Sequence, residues 1–163
     1  MGFRVAGELG RRHGAKLSAR KARSFVGEAR VSGREVALAR PRTYMNNSGR
    51  AAVALLERFG AGPEEMLVVC DDFHLDLGVL RIRRSGSSGG QKGLQSIIDL
   101  VGTTEFPRLR LGIGPAGGDP VEFVLGEFRK NERPEVDEAV GRAADACELW
   151  VEEGIEACMA AFN

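Results

Sequence analysis

The chain has few of the residues that most often carry redox or metal chemistry. Its 163 residues include three cysteines, two histidines, one tryptophan and one tyrosine. Cys70, Cys147 and Cys158 are odd in number and follow no metal-ligand spacing. We therefore expect neither a disulfide framework nor a zinc site. We interpret the protein as cytoplasmic, with its thiols reduced.

Net charge and long apolar runs are also absent. The 23 Lys and Arg residues balance 23 Asp and Glu residues, which argues against a protein that coats nucleic acid nonspecifically. No apolar run approaches a membrane span, and no signal-peptide core opens the sequence, so we expect a cytoplasmic protein with no membrane partner. The acidic residues concentrate in 132–156, so the balanced total hides an uneven distribution.

Hydrophobic periodicity predicts an α/β protein. Apolar faces at helical spacing predict helices over 2–13, 50–59, 93–101 and 133–161, the last interrupted by Gly154. Strand patterns cover 24–31, 34–39, 66–70, 79–83 and 108–113, and the segment 120–128 is ambiguous. The segment 66–70 is a continuous apolar run, which is typical of a buried parallel strand. Together with the alternation of strands and helices, it predicts a three-layer α/β/α sandwich with a mixed, mostly parallel sheet. We predict one domain over residues 1–163.

Two glycine-rich segments do not meet the requirements of nucleotide-binding loops. In 86–92 (GSSGGQK), Gln91 stands where a P-loop needs glycine, and Gly93 follows the lysine where Ser or Thr is required. The segment 112–117 (GIGPAG) matches GxGxxG in form, but no convincing helix begins after Pro115. We therefore expect no nucleotide cofactor.

A polar cluster follows the buried run 66–70, at the strand end where α/β proteins place their sites. It contains Asp71, Asp72, His74 and Asp76, which permits a metal-hydrolase hypothesis because carboxylates and imidazole bind zinc or manganese. Solvated turn residues explain the cluster equally well, and no further ligand set accompanies it. Asp71, directly after the apolar run, is the residue best placed to orient a histidine base.

A second polar segment, Tyr44 to Gly49, precedes the helix predicted over 50–59. Asn47 or Ser48 is expected to cap that helix. Capping does not explain an exposed Tyr44-Met45 beside Asn46, so Asn46 is a candidate for hydrogen bonding to a substrate.

Basic residues alternate along two predicted strands and occupy the loop between them. Alternation places Arg81 and Arg83 on one face of their strand, and Arg108 and Arg110 on one face of theirs. Either a solvated sheet face or a phosphate-binding ridge beside a glycine-rich loop explains this pattern.

Five stretches, in order, resemble the bacterial peptidyl-tRNA hydrolase family. They are PRTYMNNSG at 41–49, LVVCDDFHLDLGVLRIR at 67–83, SGSSGGQKGLQSII at 85–98, FPRLRLGIG at 106–114 and FVLGEF at 123–128. The resemblance implies a monomer that hydrolyses the ester between a peptide and the 3′ ribose of tRNA without metal or cofactor. The partner it implies is peptidyl-tRNA, bound through the tRNA acceptor end and the nascent peptide.

The resemblance also implies roles for residues of the two polar segments. Asn46 falls on an asparagine that binds the substrate, with Tyr44 and Met45 beside it. Asp71 falls on the aspartate that orients a histidine acting as general base on water.

The basic residues receive roles in tRNA binding by the same resemblance. Arg83 and Arg110 fall on residues that face tRNA phosphates. Gln91 and Lys92 stand where the family has the histidine and asparagine of GGHNG. Lysine donates hydrogen bonds but accepts none, so we expect Lys92 to meet the 3′ end of tRNA as a cation.

One part of the family pattern is not found in this sequence. The family begins with a central strand and a Thr-Arg-His-Asn segment that carries the catalytic histidine, and Met1 matches the position directly after His-Asn. We therefore expect this chain to lack that strand and histidine and to have little activity as written. His13 and His74 are not expected to replace the base, since neither is placed to reach the site. The alternative function is a catalytically inactive relative that binds RNA.

Overall fold

The computed structural model describes residues 1–115 and 128–163, so all of the ambiguous segment 120–128 except Phe128 lies outside the described residues. The helices are α1 (Gly2–Arg12), α2 (Ser48–Phe59), α3 (Lys92–Val101), α4 (Arg133–Glu153) and α5 (Ile155–Phe162), with short 3-10 helices at Met45–Asn47 and Pro63–Glu65. The strands are β1 (Ala19–Lys21), β2 (Ser24–Val31), β3 (Arg34–Pro41), β4 (Val68–Asp72), β5 (Leu80–Arg83) and β6 (Arg108–Gly112). None of the described helices is both long and apolar enough to span a membrane.

The strands form two three-stranded sheets. The first is antiparallel, in the order β1-β2-β3, and the second is mixed, in the order β4-β6-β5. The α/β class and a mixed sheet are confirmed, and β4 pairs in parallel with β6 as its apolar run indicates. The other pairings among the described strands are antiparallel. The parallel share is therefore smaller than we predicted, because the two hairpin-like strands β2 and β3 pair with each other and not with β4.

Strand β4 begins and ends two residues later than predicted. Its ladder with β6 continues through Asp71 opposite Leu111 and Asp72 opposite Gly112. The apolar run ends at Cys70, but the backbone hydrogen bonds do not, so the two carboxylates belong to the strand itself. Alternation along a strand then sends Asp71 and Asp72 to opposite faces of the sheet.

Helices cover both faces of the mixed sheet, which gives the predicted α/β/α layers. On one face Leu80, Ile82, Leu109 and Leu111 pack in a core that includes residues of α1, α4 and α5. On the other face Cys70 packs with Phe106 and with residues of α2 and α3. Helix α1 contacts β3 of the first sheet, β4 of the second sheet and α4, so it joins the two sheets.

Candidate functional site

A groove of about 1700 Å³ has both β3 and β4 among its walls. Four of the predicted site residues line it, namely Tyr44, Met45, Asp71 and Gln91. Asn46 follows Met45 in the 3-10 helix and is exposed, but it is not a lining residue. The remaining predicted residues, Lys92, Arg83 and Arg110, also lie outside the lining.

Asp71 presents its carboxylate to the groove, with 15% of its side chain exposed. Its Oδ1 lies 4.0 Å from the α-amino nitrogen of Met1. The Met1 side chain is buried, with 1% exposed, so this end of α1 is held against β4. A carboxylate in this position accepts hydrogen bonds from a cationic or NH-bearing group placed in the groove.

Asp72 has a structural task on the opposite face. It is buried; its Oδ2 lies 3.3 Å from Arg110 Nη1, and its Oδ1 accepts a hydrogen bond from the His74 backbone N–H at 2.9 Å. The two carboxylates are therefore not directed at one point. Within the described residues no group of three or more His, Cys, Asp or Glu side chains is arranged to hold a metal ion. The described part of the chain thus offers no set of ligands that would support the metal-hydrolase hypothesis.

Cys70 is next to Asp71 but has no nucleophilic role. Burial raises the pKa of its thiol to about 12, although Arg110 acts in the opposite direction. A thiol that stays protonated at neutral pH is a poor nucleophile. The Cys70 thiol is therefore not the attacking group in the groove.

The predicted substrate-binding segment forms the short helix Met45–Asn47. Tyr44 is 84% exposed and Met45 is 50% exposed, so the apolar pair lies open at the groove as expected. The capping prediction is wrong in detail, because Asn47 takes the N-cap position of α2 without a side-chain hydrogen bond. The Ser48 hydroxyl instead donates to Met45 O at 2.8 Å, which fixes the turn on which Asn46 stands.

The N-terminus of α3 lies against this turn. Gln91 is the N-cap of α3, and its Oε1 accepts a hydrogen bond from the Leu94 N–H at 2.6 Å. Its Nε2 lies 3.6 Å from Met45 Sδ, so Gln91 joins the two elements. Lys92 is exposed, and it forms no ion pair with any residue in the described part of the chain.

The arginines of the mixed sheet fall into two groups. Arg81 and Arg83 are exposed on one face of β5, as alternation predicts. Arg108 is buried; it stacks on Phe106 with its guanidinium carbon 4.3 Å from the ring centroid. Burial lowers the pKa of Arg108, and the neighbouring charge of Arg110 adds to that effect.

Arg108 and Arg110 hold the glycine-rich loop. Arg108 donates to the carbonyl oxygens of Gly86 and, at 2.9 Å, of Thr104. Arg110 donates to Ser88 O at 2.7 Å and is partly buried. Sequence reasoning missed the anchoring role of Arg108, because alternation shows which face a residue takes but not whether a loop covers it.

Among the described residues neither histidine forms a hydrogen bond or ion pair with Asp71, although His13 also lines the groove. His13 Nε2 is 2.8 Å from Glu148 Oε1, at the far end of α1. His74 is exposed and its ring lies beside that of Phe73, with 4.3 Å between the centroids. That neither side chain acts as the base stays a prediction.

The chain is similar to proteins of one family along its whole length. The family model described as peptidyl-tRNA hydrolase matches residues 1–163. A peptidyl-tRNA hydrolase of Syntrophomonas wolfei is 43% identical over 163 residues, which cover 100% of this chain and 89% of that protein. One of Geobacillus kaustophilus is 46% identical over 165 residues, with the same coverage of 100% and 89%.

Solved structures show the same similarity. The crystal structure of a peptidyl-tRNA hydrolase complex with n-propanol superposes with a TM-score of 0.90 at 30% identity, covering 99% of this chain and 83% of that one. The crystal structure of the enzyme from Acinetobacter baumannii superposes with a TM-score of 0.85 at 30% identity, covering 97% and 84%.

Proposed function

The chain belongs to the peptidyl-tRNA hydrolase family, and from that premise we propose that the groove beside Asp71 holds the ester bond of peptidyl-tRNA. The reaction is hydrolysis of the ester between peptide and tRNA, and the family match favours this esterase over an inactive RNA-binding relative. The observation that carries the placement is that Asp71, Tyr44 and Met45 line one groove.

Asp71 acts on the base that activates water. A carboxylate that accepts a hydrogen bond from the base orients it and stabilises the positive charge that forms when the base takes a proton. A positioned general base accelerates such a reaction by roughly 10²–10⁴-fold. Asp71 lines the groove and 15% of its side chain is exposed, which supports this role.

Asn46 binds the substrate next to the reacting bond. Its amide both donates and accepts hydrogen bonds, so it suits a scissile carbonyl oxygen or a peptide backbone. Tyr44 and Met45 offer exposed apolar surface for the peptide side chains. Gln91 contributes by holding Met45 in place through the cap of α3.

Basic residues near the groove bind the tRNA. Arg83 is exposed on β5, and Lys92 is an exposed cation at the start of α3. Arg110 contributes positive charge from a fixed position, because Asp72 and Ser88 O hold its guanidinium. Such contacts fix the register of the nucleic acid through its phosphates. We also propose that the protein is cytoplasmic and acts as a monomer. Gel filtration at micromolar concentration tests the oligomeric state.

Hydrolysis of peptidyl-tRNA by matched variants tests this function. We expect Asp71→Asn to lower kcat by roughly 10²-fold or more, since the base loses its orienting charge. Asn46→Ala should cost a similar factor, because losing one hydrogen-bond donor at a developing oxyanion costs roughly 10²–10³-fold. The controls are Asp76→Asn and Asn131→Ala, which make the same chemical changes at exposed positions outside the groove lining. Wild-type rates for Asp71→Asn would show that the site has been placed wrongly.

A further inference from the structure

The antiparallel sheet is strongly basic. Residues 16–42, which contain β1, β2 and β3, include eight Lys or Arg residues and two Glu residues. This excess lies apart from the arginines of the mixed sheet. The neutral total conceals it, because the acidic residues concentrate in 132–156.

Two of these arginines stack on one aromatic ring, and a third lies directly opposite that residue in the sheet. Arg20 of β1 and Arg40 of β3 both pair in register with Phe25 of β2, and directly opposite residues share a face of the sheet. The guanidinium carbons of Arg20 and Arg42 lie 5.9 Å and 5.1 Å from the centroid of the Phe25 ring. Stacking on the ring holds each planar guanidinium while its N–H groups remain available to a ligand. We call Arg20, Arg40 and Arg42 the Phe25 cluster.

The Phe25 cluster has no counter-charge among the described residues. None of its three guanidiniums lies within ion-pair distance of a described carboxylate, whereas Lys21 on the same sheet pairs with Glu28 at 3.0 Å. Arg40 donates to Leu17 O at 3.5 Å, and its Nε is buried without a partner. Converging like charges with an unsatisfied buried donor are unfavourable without an anion.

The cluster also lies next to the proposed substrate site. Arg42 is two residues before Tyr44, which limits the distance between their Cα atoms to about 7 Å. The Arg42 backbone N–H donates to Arg23 O at 2.9 Å, so the chain enters the Tyr44–Asn46 turn from a fixed point on the sheet. A ligand that occupies the groove and carries phosphates beyond its reacting end therefore meets these arginines.

We propose that the Phe25 cluster is a second phosphate-binding site, which holds the sugar-phosphate backbone of the tRNA whose 3′ ester lies at Tyr44–Asn46. The proposal rests on the proposed function for the direction from which the RNA arrives. Arginine suits this task, because its planar fork matches two phosphate oxygens and charge-assisted hydrogen bonds are strong. The cluster sits on the other sheet from Arg83 and Arg110, so the two basic surfaces hold different phosphates.

Binding of deacylated tRNA at 50 to 200 mM salt, measured by fluorescence anisotropy, tests the proposal. The variant is Arg20→Gln with Arg42→Gln. We expect its affinity at the lowest salt to fall by roughly tenfold or more, and the slope of log K against log salt to shrink by about two. The matched control is Arg58→Gln with Arg142→Gln, two exposed arginines on α2 and α4 that do not line the groove. We expect the control to keep the wild-type slope.

Equal losses in the two double variants would overturn the proposal, since they would show a response to net charge alone. The conservative pair Arg20→Lys with Arg42→Lys should keep most of the slope, and loss of the slope there would also contradict phosphate binding by these side chains. Thermal unfolding of each variant verifies the fold. Because the ligand is deacylated, failure of the proposed function appears separately, as continued hydrolysis by Asp71→Asn.

Discussion

Adjacent carboxylates in β4 have different tasks because a strand alternates its side chains. Asp71 lies on the α1 side, at the groove, and Asp72 lies on the α3 side, where it is buried with Arg110. Arg81 and Arg110 are register partners on β5 and β6, so their positive charges repel each other. The negative charge of Asp72 offsets this repulsion. Replacing Asp71 therefore affects the groove, and replacing Asp72 affects the sheet.

Helices α2 and α3 hold the substrate-binding turn through a glycine. A side chain at Gly49 would overlap the backbone carbonyl of Ser96, and the Gly49 N–H donates to Ser96 Oγ at 3.0 Å. The absence of a Cβ therefore lets the start of α2 lie directly on α3. Because Met45–Asn47 immediately precedes α2, this close contact also positions Asn46.

We expect Gly49→Ala to destabilise the protein by about 1–3 kcal/mol, the usual cost of overpacking, and to lower kcat/KM for peptidyl-tRNA. The control is Gly7→Ala in α1, where an added Cβ meets nothing within 4 Å. That substitution should stabilise the helix by about 0.5–1 kcal/mol, because alanine loses less backbone entropy than glycine. Urea unfolding gives both values, and a Gly49→Ala protein as stable as wild type would show that α2 and α3 separate without cost.

On the scale of the whole molecule, α1 ties the two sheets to α4 by ion pairs. Arg12 extends from the last turn of α1 to Asp145 at 2.7 Å and to Glu148 at 3.0 Å, and Glu8 receives hydrogen bonds from both Arg11 and Arg12. These hydrogen bonds lower the pKa of Glu8 from 4.5 to about 2. The hydrogen bonds from Arg12 to Asp145 and Glu8 raise the pKa of Arg12 above its ordinary value.

The lowered pKa of Glu8 makes α1 docking sensitive to acid. A carboxyl whose pKa is lower in the folded state stabilises the folded protein at pH values above its unfolded-state pKa of 4.5. This contribution is lost as the pH falls towards the folded-state pKa of about 2. We expect Glu8→Gln to be less stable than wild type at pH 7 by less than about 1 kcal/mol, because the site is near solvent. The difference should disappear between pH 5 and pH 2 in urea titrations. Glu57→Gln, an exposed change on α2, should show no such trend, and a constant difference for Glu8→Gln would contradict the assignment.

Features that depend on local periodicity could be predicted from the residue pattern alone. The helix at 93–101, the hairpin strands over 24–31 and 34–39, and the shared face of Arg81 and Arg83 are found where the pattern predicts them. The apolar run before Asp71 likewise predicts a parallel strand, since only a strand covered on both faces is apolar throughout. The motifs around Asn46 and Asp71 were sufficient to indicate the family.

Which polar groups face the groove depends on contacts between segments that are far apart in the sequence. Whether Asp71 or Asp72 is available depends on where the ladder with β6 ends, and whether Arg108 or Arg83 is exposed depends on a loop that covers one and not the other. The Phe25 cluster brings together β1, β3 and the residue after β3, so no local pattern reveals it. Burial and charge pairing are properties of neighbours in space, and such neighbours can be 136 positions apart in the chain, as Arg12 and Glu148 are.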